Sequence, residues 1–160
     1  MSSTESPARF TFTGRDGAAV TAYRWDPVGI PRGVVQLTHG MGEHLLRYGH
    51  LATTLTGAGF LVQGQDHRGH GATATSDDAL GQLGAAGWHS LVDDIDVLIE
   101  RTRDRLPDLP IVLFGHSMGS FAAQQYMLSH STRIAGLALS GTAAIDLMEP
   151  GLDLDRPAEQ

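Results

Sequence analysis

The chain has 160 residues, 11 basic and 18 acidic side chains, a formal net charge of −7, 41% hydrophobic residues and no cysteine. That length suits one domain with one core. The acidic balance argues against a nucleic-acid partner, the lack of cysteine excludes disulfides and thiolate catalysis, and no apolar run reaches the roughly 18 residues of a membrane span.

The start, MSSTESPARF, has no basic stretch leading into an apolar one, so no signal peptide is read and a cytoplasmic protein is expected. RFTFTG and VTAYRW flank the turn-rich GRDGAA and predict an antiparallel hairpin. GVVQL, from Gly33 to Leu37, reads as a mainly apolar run, which predicts a strand buried on both faces and ending at THGMGEH. Tyr48, Leu51, Ala52 and Leu55 recur at helical spacing, with Gly57 and Gly59 to end the helix. FLVQGQD is the next strand, followed by the glycine-rich loop HRGHGATATSDDALGQLGAAG. Trp88, Leu91, Val92, Ile95, Leu98 and Ile99 then mark one face of a long helix closed by Pro107 and Pro110. The arginines at 101, 103 and 105, interleaved with Asp104, read as its solvated face. IVLF predicts a third buried strand, Met118 to Ser129 a helix, and IAGLAL a fourth strand. After the hairpin, strand and helix alternate, which predicts an α/β architecture with a mainly parallel sheet and flanking helices.

The chemistry concentrates where IVLF meets FGHSMGSF. A buried strand runs into G-H-S-M-G and directly into a helix, the setting in which a nucleophilic serine, here Ser117, is exposed on a strained turn. Gly115 and Gly119 leave room for neighbouring backbone, and the helix after Ser117 aims free N–H groups and a positive dipole end at developing negative charge. Acyl transfer needs two backbone donors for its oxyanion. Met118, after the serine, and Met41, in HGMGEH after the earlier strand, are the candidates, with Gly40 and Gly42 allowing a close approach; an ordinary turn is the competing reading of those two glycines.

His39, Glu43 and His44 do not have the H-E-x-x-H spacing of a zinc site. Asp66, His67 and His70 in DHRGHG read first as a hydrogen-bonded loop after a strand, with a metal cluster and a substrate contact as alternatives. His50, His89 and His116 have no ligand spacing, so no metal is expected, and no nucleotide-binding glycine motif is present.

LTHGMGEHLLRYGHLA, FLVQGQDHRGHGAT and IVLFGHSMGSFAAQQY, in this order, resemble the α/β-hydrolase superfamily, in particular its monoacylglycerol lipase and lysophospholipase-like branch. The resemblance implies Ser117 as nucleophile, the N–H groups of Met41 and Met118 as oxyanion hole, and Asp66 to Gly71 as a structural loop. It also implies a cofactor-free hydrolase of carboxylic esters, often of single-chain lipids. In that family an acid and then a histidine follow the serine, beyond a cap inserted after the sixth strand. Here only His130 follows Ser117, at the far end of the predicted helix, and it is not accepted as the base. Asp146, Asp153 and Asp155 are weak candidates for the acid.

The expectation is therefore an α/β-hydrolase core truncated after about the sixth strand. Residues 1–142 form its N-terminal part, and 143–160 the start of a cap or a frayed tail. The remaining C-terminal part of the same fold is the implied partner, beside a small-molecule ester or lipid substrate. A non-catalytic module that uses the same fold to bind a ligand or partner is the alternative.

Overall fold

The computed structural model describes residues 6–144. Along the chain run β1 (Ala8–Thr13), β2 (Ala19–Trp25), β3 (Val34–Thr38), α1 (Gly49–Gly57), β4 (Leu61–Gln65), α2 (Gly87–Arg105), β5 (Ile111–His116), α3 (Met118–His130) and β6 (Gly136–Ser140). The six strands make one sheet in the order β1-β2-β4-β3-β5-β6. β1 and β2 form the expected hairpin, β2 pairs antiparallel with β4, and the other three pairings are parallel. Parallel neighbours need a crossover, and each of the three helices supplies one. Residues 143 and 144 are described, but Asp146, Asp153, Asp155 and the rest of the expected cap entrance lie outside the described residues.

The strand order decides where the helices go. β3 leads through α1 to β4 on one side, whereas the chain leaving β4 crosses back over β3 to reach β5 on the other. Right-handed crossovers then place α1 on one face and α2 and α3 on the opposite face. The core divides accordingly. Val34, Leu61, Ile111 and Leu113 pack with Leu91, Ile95 and Ile99 of α2 and with Ala122, Ala123 and Tyr126 of α3. Val35, Leu37 and Val62 pack with Leu45, Ala52, Tyr23 and Trp25 on the other face.

Burial follows position in the sheet. β3, in the middle, is buried at all five residues, as expected for GVVQL, and its two polar residues, Gln36 and Thr38, are satisfied by hydrogen bonds inside the core. β5 departs from the expected fully buried strand, since Val112, Phe114 and His116 are only half-buried where they face the α1 side. β6 is half-buried to exposed and, among the described residues, pairs only with β5. The helix expected from Tyr48 is preceded by a 3-10 turn at Leu45–Tyr48 and begins at Gly49.

Two arginine clamps bind the hairpin to the helical layer. Arg68 makes paired hydrogen bonds to Asp94 of α2 and to Asp16 in the hairpin turn. Its neighbour in that turn, Arg15, reaches Asp96 at 2.6 Å and Glu100 at 3.0 Å, and Arg133 grips the same two carboxylates from the 3-10 turn that follows α3. Asp94 and Asp96 interrupt the buried side of α2, so each carboxylate needs a cation to offset its desolvation. Arg68 and Asp94 are 7% and 1% exposed, whereas Asp16 is 43% exposed. Removing one partner of a buried pair strands the other charge, so Arg68→Ala is expected to cost about 3–5 kcal/mol. Asp16→Ala is expected to cost no more than about 1 kcal/mol. Urea midpoints of the two variants check this, and equal losses would contradict the clamp.

Candidate active site

The C-terminal ends of β3 and β5 lie side by side where the chain leaves in opposite directions, the crevice at which open α/β sheets bind ligands. Both sequence motifs fall there. After β5 the backbone turns through Ser117 at φ 50 and ψ −120, and Ser117 is the only non-glycine residue with positive φ among the described residues. Its N–H donates to the Ser140 carbonyl at 2.9 Å, and its own carbonyl accepts from the N–H of Ser120 at 2.8 Å. Ser117 is half-buried, and its Oγ makes no hydrogen bond among the described residues.

The turn closes only because Gly115 and Gly119 lack side chains. A Cβ at Gly115 would lie 2.7 Å from Ser120 Cα, and one at Gly119 would run into the carbonyls of Thr38 and His39. Thr38 Oγ1 sits 3.0 Å from the carbonyl oxygens of both Phe114 and Gly119, fastening the end of β3 to β5 and to the first turn of α3.

The loop after β3 is held from several directions. Gly40 packs on Ser117, since a Cβ there would come within 3.2 Å of Ser117 Cβ. Its N–H donates to Glu43 Oε1 at 2.6 Å, and the Tyr48 hydroxyl donates to the same oxygen at 2.6 Å. Burial pushes the Glu43 carboxyl up, but the hydrogen bonds from Tyr48 and Gly40 outweigh it and hold the group below its ordinary range. His39 is fully buried: its Nδ1–H donates to the Gly40 carbonyl at 2.7 Å, and Nε2 accepts the N–H of His67 at 2.9 Å. Those partners assign a neutral ring with its proton on Nδ1. Desolvation lowers its pKa to about 4.

Met41 follows Gly40 and Met118 follows Ser117, so the two expected donors sit one residue beyond the two groups in closest contact. No hydrogen bond occupies either N–H among the described residues. Met118 opens α3, whose first amides have no intrahelical acceptor. Its side chain is buried, whereas that of Met41 is exposed.

The other polar residues hold backbone. Asp66 accepts the N–H of Leu45 at 2.8 Å on one oxygen and of Ala72 at 2.7 Å on the other, and His70 Nδ1 lies 2.8 Å from the Arg68 carbonyl. This is the loop reading of DHRGHG, and among the described residues no three His, Cys, Asp or Glu side chains are arranged to hold a metal ion. His116 Nδ1 lies 3.1 Å from Ser140 Oγ. His130 stacks on Tyr126 at 4.7 Å beside Asp96, twelve residues along α3 and so ~18 Å from its start, as expected for a residue that does not serve Ser117. The parts played by Glu43 and His39 were not legible in the sequence; a carboxylate three residues after Gly40 was the available signal for Glu43.

Burying His39 neutral makes stability depend on pH. Its folded pKa of about 4 lies below the unfolded value near 6.5, so the unfolded chain binds more protons between them. Stability is then full above about pH 6.5 and declines as the pH falls toward 4. His67, which desolvation also holds well below its ordinary value, adds in the same direction. Between pH 7 and 5 the His39 part alone is about 2 kcal/mol. Urea unfolding at the two pH values should show at least that loss in the natural chain and a shallower one in His39→Gln, and parallel slopes would contradict the assignment.

Residues 29–152 match the family described as Serine aminopeptidase, S33. The chain is 36% identical over 143 residues to the monoacylglycerol lipase of Mycolicibacterium smegmatis, spanning 89% of this chain and 49% of that protein. It is 32% identical over 124 residues to the monoglyceride lipase of Homo sapiens, spanning 78% of this chain and 39% of that one. A thermostable carboxyl esterase from Bacillus coagulans, solved in complex with glycerol, superposes with a TM-score of 0.80 at 38% identity, over 87% of this chain and 45% of that one. The chain thus spans half or less of the length of these relatives. With this strand order, a serine turn between β5 and α3, and a family match over most of its length, the chain belongs to the Serine aminopeptidase, S33, family and has the α/β-hydrolase fold.

Proposed function

We propose that the protein is a serine hydrolase that cleaves carboxylic esters of the monoacylglycerol or lysophospholipid type through an acyl-enzyme. The observation that carries this reading is the geometry of Ser117: a strained backbone, a free Oγ, the start of α3 behind it and the Gly40–Met41 loop beside it. In this reading Ser117 Oγ attacks the ester carbonyl and passes its proton to a general base. The carbonyl oxygen, now negative, accepts hydrogen bonds from the N–H groups of Met41 and Met118. Collapse of the tetrahedral intermediate expels the alcohol with that proton, and water then releases the acid by the same route.

The base and its acidic partner are assigned to the part of the relatives' length that this chain does not span. No histidine among the described residues hydrogen-bonds Ser117 Oγ, and the resemblance puts the base beyond a cap. In the same reading residues 1–142 are the N-terminal part of the catalytic core, and 143–160 lead into the cap. The relatives named monoacylglycerol lipase and monoglyceride lipase support a glycerol ester over an amide, although the family takes its name from an aminopeptidase. Among the described residues, no helix is long and apolar enough to cross a membrane. The lack of a base at Ser117 among the described residues favours one other reading, a module that binds a ligand in the same crevice without turnover.

Treating the native protein with a fluorophosphonate separates the two. The proposal expects an adduct on Ser117, hydrolysis of a monoacylglycerol, and a loss of at least about 10³-fold in Ser117→Ala. Ligand binding that is unchanged in Ser117→Ala, with neither adduct nor turnover in the natural protein, would favour the binding module.

A further inference from the structure

The oxyanion loop turns on a glycine, and a glycine is the residue least able to hold its own conformation. Position 40 favours glycine, because a side chain there would press on Ser117 and on Glu43. Its freedom must therefore be removed by something else. The two peptide planes that meet at Gly40 are gripped from opposite ends: Glu43 Oε1 takes the N–H of one, and His39 Nδ1–H donates to the carbonyl of the other. In a trans peptide the N–H points opposite to the preceding carbonyl. With the Gly40 carbonyl turned inward to His39, the Met41 N–H is turned away from that buried ring.

We infer that Glu43, held by the Tyr48 hydroxyl, is a positioning residue that fixes the Gly40 backbone and so sets the direction of the Met41 N–H. This rests on the proposed use of that N–H as an oxyanion donor. One carboxylate oxygen serves both donors at 2.6 Å, and the side chain is only 12% exposed, so the contact is shielded from competing water. Arg47, 64% exposed, lies 3.6 Å from the second oxygen and adds little at that exposure. The same contact occupies the Gly40 N–H, which leaves the Met41 N–H as the unoccupied amide of the pair. Glu43 touches no reacting atom in this account and acts only through backbone.

The test uses the native protein and two readouts, the rate of fluorophosphonate addition to Ser117 and hydrogen exchange of the Gly40 amide. Glu43→Ala is expected to slow addition about 10- to 100-fold, short of the roughly 10²- to 10³-fold seen when a donor is lost outright. It should also speed Gly40 exchange. Glu43→Gln keeps an Oε1 acceptor in place and should stay within about threefold of the natural rate with Gly40 still protected. Tyr48→Phe should slow addition alone and have no further effect on top of Glu43→Ala. Glu43→Met keeps bulk without an acceptor and replaces Glu43→Ala if that variant does not fold. Natural rates and exchange in Glu43→Ala or Glu43→Met would overturn the inference, as would equal slowing in Glu43→Gln, which would point to charge instead of geometry. If the natural protein takes no label, the proposed function falls instead. Loss of Gly40 protection in Glu43→Ala would then still uphold the loop contact, and unchanged protection would overturn it.

Discussion

A left-handed backbone at Ser117 costs a residue with a Cβ about 1–3 kcal/mol, and the surroundings of the β5–α3 turn act to hold it there. The Ser140 carbonyl holds the Ser117 N–H from the neighbouring strand, and Gly115 and Gly119 let α3 begin hard against β3 and β5. Below the turn, Leu113, Met118, Ala122, Ala123 and Tyr126 are buried against α2. Burial of those side chains, worth about 1.5–3 kcal/mol for a full leucine or methionine, offsets the local strain many times over. The helix cannot slide away from the strand ends without opening this core, so Ser117 stays strained and half-exposed.

The second requirement is a loop that approaches the serine closely without collapsing into it. It is met by charged and neutral groups placed where water is largely excluded. Asp66 spends both oxygens on backbone N–H groups, Glu43 spends one oxygen on two donors, and His39 is kept neutral with a donor on one side and an acceptor on the other. Each tie spans different segments, so the loops after β3 and β4 are fastened to each other as well as to themselves. The strand order brings these loops and the serine turn together, since β3 lies between β4 and β5 and the crossovers diverge from it.

Much of this was legible in the sequence, for identifiable reasons. The run GVVQL marks a strand buried on both faces because apolar residues occupy both of its alternating faces, and all five residues of β3 are buried, Gln36 with hydrogen bonds to the Ile95 carbonyl and from Gln63. The serine turn is legible because its glycines are demanded by close approach, which leaves few alternatives. What was not legible depends on distant partners. Arg15 and Asp16 read as ordinary turn residues, yet their partners lie far along the chain in α2 and at Arg68. Asp94 and Asp96 fall within the apolar stripe of α2, and only the folded structure supplies the cations that make them tolerable there. Glu43 and His39 occupy a loop with no periodicity, where their direction follows from the turn at Gly42, φ 70, and from contacts 5 to 28 residues away. The half-buried face of β5 was missed for a related reason, because four apolar letters do not say how much covers each side.

The central claim is spatial: an acyl carbonyl attacked by Ser117 directs its oxygen between two backbone amides. A crystal structure of the native protein after reaction with a phosphonate tests it most directly. The account predicts phosphorus bonded to Ser117 Oγ, with the phosphonyl oxygen about 2.7–3.1 Å from the backbone nitrogens of both Met41 and Met118. An adduct on Ser117 whose oxygen faces solvent or a side chain, with either amide turned away, would contradict it.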